Sequence, residues 1–242
     1  MIDMERVPWI SKEQIEERAE QVFVEARRKL GTDIAPPVPI EAIIEQAFGL
    51  HLLVEDLAER YSHLGLEDDL LGASVLSLRQ VLVHEKLLHD PKNQGRYFFT
   101  CAHELAHWVL HRPLYQADHI HMAEEKSALA YGILCRVSGN RARGERQADF
   151  MAACLLMPKV KVREAFRKAI SDEPIVFVNR ESSICRKGRP LWLEPALSHA
   201  PFYAEKVIEA GNFTNVSKAA MCVRLEELGL FVNAVDKPWV AL

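Results

Sequence analysis

The pattern His-Glu-x-x-His at residues 103–107 constrains the fold of this 242-residue chain most strongly. On a helix, residues four apart lie one turn above each other, with roughly 5–6 Å between their Cβ atoms. His103 and His107 can therefore reach one ion at the roughly 2.0–2.1 Å that Zn–N bonds require. Glu104 leaves the helix about 100° away from His103, where it can act as general base on a zinc-activated water. The apolar neighbours predict a buried helix that ends before Pro113.

A hydrolytic zinc site needs a third protein ligand, which must come from another part of the chain. A second helix is predicted over 145–157, and its alanines are small enough for close approach to the first. Glu145 and Asp149 share one face of it, so Glu145 is a candidate zinc ligand and Asp149 a candidate acceptor for the free ring N–H of a zinc histidine. The intervening segment holds rival ligands, which are Glu124, Glu125, His119 and His121.

Other polar residues remain without a definite role. Four side chains are candidate stabilisers of the oxyanion, with no ranking among them: Tyr97, Tyr115, His111 and Tyr203. His84 and His89 are single histidines that are predicted to be packing or surface residues.

Composition favours a globular cytoplasmic protein. At 49% hydrophobic residues the chain can bury a substantial core, and its net charge of −4 gives no global basic field for nucleic acid. The five cysteines form no C-x-x-C pair, which is typical of a reduced compartment. No signal peptide and no membrane span is expected.

Hydrophobic periodicity predicts an α+β fold with a small, mostly antiparallel sheet packed on the motif helix. Ser11 and Gln14 form a capping box for the first helix, and Ser217 caps the last. Strands are predicted at 51–54, 70–76, 81–84 and 175–178, and further helices at 128–137 and 160–170. We expect a core over residues 1–170 and a mainly helical extension, residues 171–242, packed on it.

Three blocks together resemble the ImmA/IrrE family of metallopeptidases. They are residues 97–107 with the trailing His111, residues 145–158, and residues 216–230. The family's third metal ligand falls at the position of Glu145. The chain departs from the family in having Ala106 where glycine is usual, and in a long stretch between His107 and Glu145. The resemblance implies a zincin-like core and a cytosolic regulatory protease that acts in stress response or mobile-element control by cutting or inactivating a separate transcriptional repressor.

Two other functions compete with the protease. The same metal site could serve a binding protein that captures its regulator without hydrolysis, in which case Glu104 need not act as a base. A DNA-binding function rests on the Ser217 helix alone, and packing of that helix onto the core is the better prediction. We therefore expect a protein substrate, a helix-turn-helix repressor encoded nearby, and neither direct nucleic-acid binding nor a membrane.

Overall fold

The computed structural model describes residues 7–62, 70–114, 142–178 and 196–234, and the backbone alone of residues 132–136. The chain forms two compact units, residues 1–156 and residues 157–242. The helix over 159–169, which the sequence assigned to the core, belongs to the second unit. A peptidase domain that ends at residue 170 with an extension packed on it stays a prediction.

The first unit contains five helices and a four-stranded sheet in its described residues. The helices are α1 (Lys12–Leu30), α2 (Ile40–Ala42, continued by a π-helical turn over Ile43–Ala47), α3 (Leu57–Arg60), α4 (Gln94–Leu110) and α5 (Arg143–Leu156). The strands are β1 (His51–Glu55), β2 (Leu70–Val75), β3 (Gln80–His84) and β4 (Gly132–Arg136). The predicted capping box is confirmed, since Ser11 Oγ accepts from Gln14 N and Ser11 N donates to Gln14 Oε1.

The sheet has the strand order β1-β3-β2-β4. The β1–β3 pair is parallel, whereas β3–β2 and β2–β4 are antiparallel. Helix α4 packs on β2 and β3, so the predicted mixed α+β fold with a mostly antiparallel sheet against the motif helix is confirmed. Helices α4 and α5 pack against each other, and α1 covers α5.

The helix predicted over residues 128–137 is wrong where the structure describes it. Residues 132–136 form β4, which pairs with β2 from Gly132 opposite Val75 to Arg136 opposite Leu70. An open edge on β2 would leave main-chain N–H and C=O groups without partners. Pairing with that edge therefore outweighs the local helix preference of the segment. Residues 128–131 and 137 lie outside the described part.

The second unit is mainly helical in its described residues, as predicted. It contains α6 (Lys159–Ala169), α7 (Ala200–Gly211), α8 (Lys218–Glu227) and a parallel pair of short strands, β5 (Ile175–Phe177) and β6 (Phe231–Asn233). Helix α7 packs on both α6 and α8. The Ser217 hydroxyl accepts from Ala220 N and caps α8, as the sequence predicts. No described helix is long and apolar enough to cross a membrane.

Candidate metal centre

Helix α4 supplies the two histidines of the motif. Its buried residues include Tyr97, Cys101, Leu105 and Trp108, and the helix packs against β2, β3 and α5. His103 and His107 are both buried, and their Nε2 atoms lie 2.9 Å apart. The one-turn spacing that the sequence predicts therefore turns both imidazoles toward one point.

Helix α5 brings Glu145 to the same point. Glu145 Oε2 lies 3.3 Å from His103 Nε2, and Oε1 lies 3.5 Å from His107 Nε2. The two helices pack against each other, and four of their small alanines are completely buried: Ala102, Ala106, Ala148 and Ala152. The side chains of His103, His107 and Glu145 form the only group of metal-binding residue types found among the described residues. Their ligand atoms all lie within 4.8 Å of one another.

The three side chains fit a zinc ion in both chemistry and spacing. A tetrahedral ion with bonds of about 2.0–2.2 Å separates its ligand atoms by roughly 3.3–3.6 Å. The observed separations of 2.9, 3.3 and 3.5 Å are close to that range. Two imidazole nitrogens and one carboxylate oxygen are also a donor set that catalytic zinc uses. The cluster could therefore hold such an ion with little rearrangement.

Both histidines are contacted from behind, at the ring nitrogen that faces away from the cluster. Asp149 Oδ1 lies 3.1 Å from His103 Nδ1, and its predicted role as acceptor for a zinc histidine stays a prediction. His111 Nδ1 lies 2.9 Å from His107 Nδ1. His111 was a candidate oxyanion stabiliser, but the structure places it behind a motif histidine instead. Such contacts hold an imidazole in one orientation and one tautomer.

Glu104 lies beside the cluster and is completely buried between α4 and β2. The Ser74 hydroxyl donates to Glu104 Oε2 at 2.6 Å, and its oxygen also lies 3.0 Å from the Glu104 carbonyl oxygen. Glu104 Oε1 is buried with no hydrogen-bond partner among the described residues. A Cβ atom on Gly72 would lie 2.5 Å from that oxygen. The absence of a side chain at Gly72 thus makes the space that the carboxylate occupies.

Burial and hydrogen bonding shift the pKa values of the two glutamates at the cluster in opposite directions. Burial raises the pKa of Glu104 to about 8, although His103 and the Ser74 hydrogen bond lower it. Burial also acts on Glu145, but hydrogen bonds with His103 and His107 hold its pKa well below the ordinary value. Burial lowers the pKa of His107, which favours the neutral imidazole that a metal requires. A divalent cation at the cluster would in turn favour the charged form of Glu104.

The other candidates in the described part of the first unit do not join this group. Tyr97 donates its hydroxyl to Glu41 Oε1 at 2.7 Å. His84 accepts from Lys86 N and lies near Asp56, and His89 is exposed. Tyr203 belongs to the second unit. The remaining candidates, Glu124, Glu125, His119, His121 and Tyr115, lie outside the described residues.

Sequence reasoning missed Gly72, Ser74 and Gln147. Gly72 and Ser74 are two residues apart on β2 and therefore face the same side of the sheet, toward Glu104. Two small residues at alternate positions of a strand predicted to pack on the motif helix were a usable signal. Gln147 Oε1 lies 3.1 Å from His111 Nε2. Nothing in its sequence context distinguishes it from other polar helix residues.

Comparison with known proteins agrees with the geometry. The family model of peptidase M78, described as the IrrE N-terminal-like domain, matches residues 45–181. The match spans the sheet and both helices that build the cluster, and it covers more than half of the chain. Comparison with curated proteins finds no match. The chain therefore belongs to the peptidase M78 family, the metallopeptidases of the ImmA/IrrE type.

Proposed function

We propose that this metallopeptidase is a zinc-dependent endopeptidase with His103, His107 and Glu145 as zinc ligands and Glu104 as general base. The observation that carries the proposal is the convergence of three ligand atoms beside a buried carboxylate. Zinc at this cluster supplies Lewis-acid polarisation of the scissile carbonyl and lowers the pKa of a bound water.

The chain's own residues divide the proton transfers and the positioning between them. The Glu104 carboxylate, which Ser74 holds through Oε2, accepts the proton of the attacking water and later donates it to the leaving amine. Asp149 accepts the Nδ1 proton of His103 and thereby leaves the Nε2 lone pair directed at the cluster. Gly72 keeps space for the carboxylate against the strand.

We further propose that the substrate is a helix-turn-helix repressor encoded nearby, cleaved or inactivated in the cytoplasm during stress response or mobile-element control. Membership of the ImmA/IrrE type supports this substrate class. The alternative is a metal-dependent binding protein that captures the repressor without hydrolysis. Both functions need the three ligands, but only the protease needs Glu104 as a base.

The variant Glu104→Gln separates the two functions. It keeps the size of the side chain and touches no proposed ligand, but an amide cannot accept the proton. We expect normal zinc content and normal binding to the repressor, with cleavage lowered by at least the roughly 10²–10⁴-fold typical of lost general-base catalysis. Cleavage is measured by electrophoresis and intact mass of the purified repressor, with and without chelator.

Glu45→Gln is the matched control, because Glu45 is exposed in the same unit. This variant should cleave the repressor as fast as the parent does. His103→Ala should lose metal and activity together. If Glu104→Gln relieves repression in cells as well as the parent does, hydrolysis is not the mechanism and the binding protein is the correct function.

A further inference from the structure

A chain of hydrogen bonds, buried at its histidine end, joins His107 to the main chain before α1. His107 Nδ1 lies 2.9 Å from His111 Nδ1, and His111 Nε2 lies 3.1 Å from Gln147 Oε1. Gln147 Nε2 donates to the carbonyl oxygen of Pro8 at 2.9 Å. His111 is 1% exposed and Gln147 is 5% exposed, so water has little access to the two bonds that His111 makes. We call this set, from Pro8 through Gln147 and His111 to His107, the His107 relay.

The end of the relay fixes the direction of every bond in it. A main-chain carbonyl can only accept, so the Gln147 amide nitrogen must face Pro8 and its oxygen must face His111. His111 therefore carries its proton on Nε2 and presents a lone pair at Nδ1. His107 then donates from Nδ1, and its Nε2 faces the cluster, 3.5 Å from Glu145 Oε1.

The opposite arrangement fails at the same carbonyl. With the proton on His107 Nε2, His111 would have to donate from Nδ1 and accept at Nε2. The Gln147 amide would then rotate and turn its oxygen toward the oxygen of Pro8. Two acceptors would face each other, so the hydrogen bond between Gln147 and Pro8 would be lost, which is unfavourable. Within the relay, only the first arrangement gives every group a partner.

The segment that carries Pro8 is itself held on α5. Arg143 Nη1 donates to the carbonyl oxygen of Val7 at 3.1 Å, one turn of α5 before Gln147. Two consecutive carbonyls of the segment thus accept from two side chains of the helix that bears Glu145. This double attachment holds the terminal acceptor of the relay in place.

We propose that His111, Gln147 and the Pro8 carbonyl are positioning residues that keep the Nδ1 proton of His107 on the side of the relay and direct its Nε2 at the metal cluster. They orient the His107 ring as Asp149 orients the His103 ring. The relay, however, consists of neutral groups, and its final acceptor is the carbonyl of Pro8, which precedes α1. The proposal rests on the proposed zinc site. It gives the trailing histidine of the motif a role behind the metal ligand and makes residue 8 part of the metal centre.

The first test needs no variant and no metal. Nitrogen-15 NMR of the histidine rings in the metal-free protein should show a proton on His107 Nδ1 and a neutral His111 with its proton on Nε2. A His107 without a proton on Nδ1, or a His111 with its proton on Nδ1, would overturn the proposal. The measurement reports a tautomer, which a residue that only fills space would not determine.

The second test measures zinc affinity by competition with a chromophoric chelator. Gln147→Met removes both amide hydrogen bonds with little change in size, and we expect zinc affinity to fall by about 10–100-fold, as is typical when a partner behind a ligand is lost. His111→Leu should lower the zinc affinity by a similar factor. His111→Gln can still accept from His107 and donate to Gln147, so it should keep more of the affinity than His111→Leu.

Cys154→Ala is the control, because Cys154 is buried on α5 but outside the relay. It should lower stability without lowering zinc affinity. If the parent binds no zinc, the proposed function fails, while the tautomer measurement still decides the relay. If the parent binds zinc and both Gln147→Met and His111→Leu bind it equally well, the relay proposal is wrong and the zinc site stands.

Discussion

Gly72→Ala tests whether the space beside β2 controls the proposed base. The new Cβ would lie 2.5 Å from Glu104 Oε1 and 2.7 Å from Thr100 Cγ2, whereas ordinary contact begins at 3.4 Å. The strand cannot withdraw, because Gly72 is paired with Val83 on one side and with Cys135 on the other. The Glu104 carboxylate must therefore move by about 0.9 Å or more, away from its hydrogen bond with Ser74.

The size of the effect follows from that displacement. Forcing one extra methyl group into a packed interior typically costs about 1–3 kcal/mol of stability. A displacement of about 1 Å in a catalytic group can lower the rate by about 10²-fold. The three atoms nearest to the new methyl group belong to Glu104 and Thr100, and none belongs to a proposed zinc ligand. We therefore expect Gly72→Ala to keep its zinc while cleaving at least about 10²-fold more slowly.

Three measurements check this expectation. They are urea unfolding, elemental analysis for zinc, and single-turnover cleavage of the candidate repressor. Gly31→Ala is the matched control: Gly31 ends α1 with φ of 68° and has open space around it, so alanine there should cost roughly 1–2 kcal/mol through backbone strain alone and leave cleavage unchanged. If Gly72→Ala cleaves within a few-fold of the parent at the parent's stability, the packing argument for Glu104 is refuted.

Three further outcomes are expected. Glu145→Ala and His103→Ala should each contain far less zinc by elemental analysis, and full zinc content in the Glu145 variant would move the third ligand to another residue. Ser74→Ala removes a hydrogen bond that lowers the pKa of Glu104, so the acidic limb of the pH profile of kcat/KM should shift to higher pH; an unchanged limb would show that Ser74 does not act on the base. In the metal-free protein the pKa of Glu104 rises from 4.5 to about 8 on folding, so the folded state holds the extra proton and stability falls as pH rises through that window. Metal-free Glu104→Gln should therefore be more stable than the metal-free parent at pH 8 in urea unfolding, with the difference shrinking toward pH 4.5.

Local pattern in the sequence determines the helices that carry the cluster. The spacing of His103 and His107 fixes their relation within one helix, and the periodicity after Glu145 places a second carboxylate-bearing helix in the same way. Helical geometry is set by neighbours along the chain, so such residues can be identified without knowing the rest of the fold. The alanines that the sequence shows on the second helix also predict its close approach to the first.

Contacts between distant segments decide the remainder. Residues 132–136 become a strand because the main-chain groups at the β2 edge need hydrogen-bond partners. The local sequence of residues 132–136 does not show that this edge will be available. Gly72 and Ser74 matter only because β2 lies against Glu104, a residue some thirty positions away. The direction of the hydrogen bonds in the His107 relay depends on the carbonyl of Pro8. That carbonyl accepts from Gln147, which lies 139 residues further along the chain. The sequence determines which groups can bind a metal, whereas the tertiary structure decides which neighbours orient them, because hydrogen bonding and packing act across space rather than along the chain.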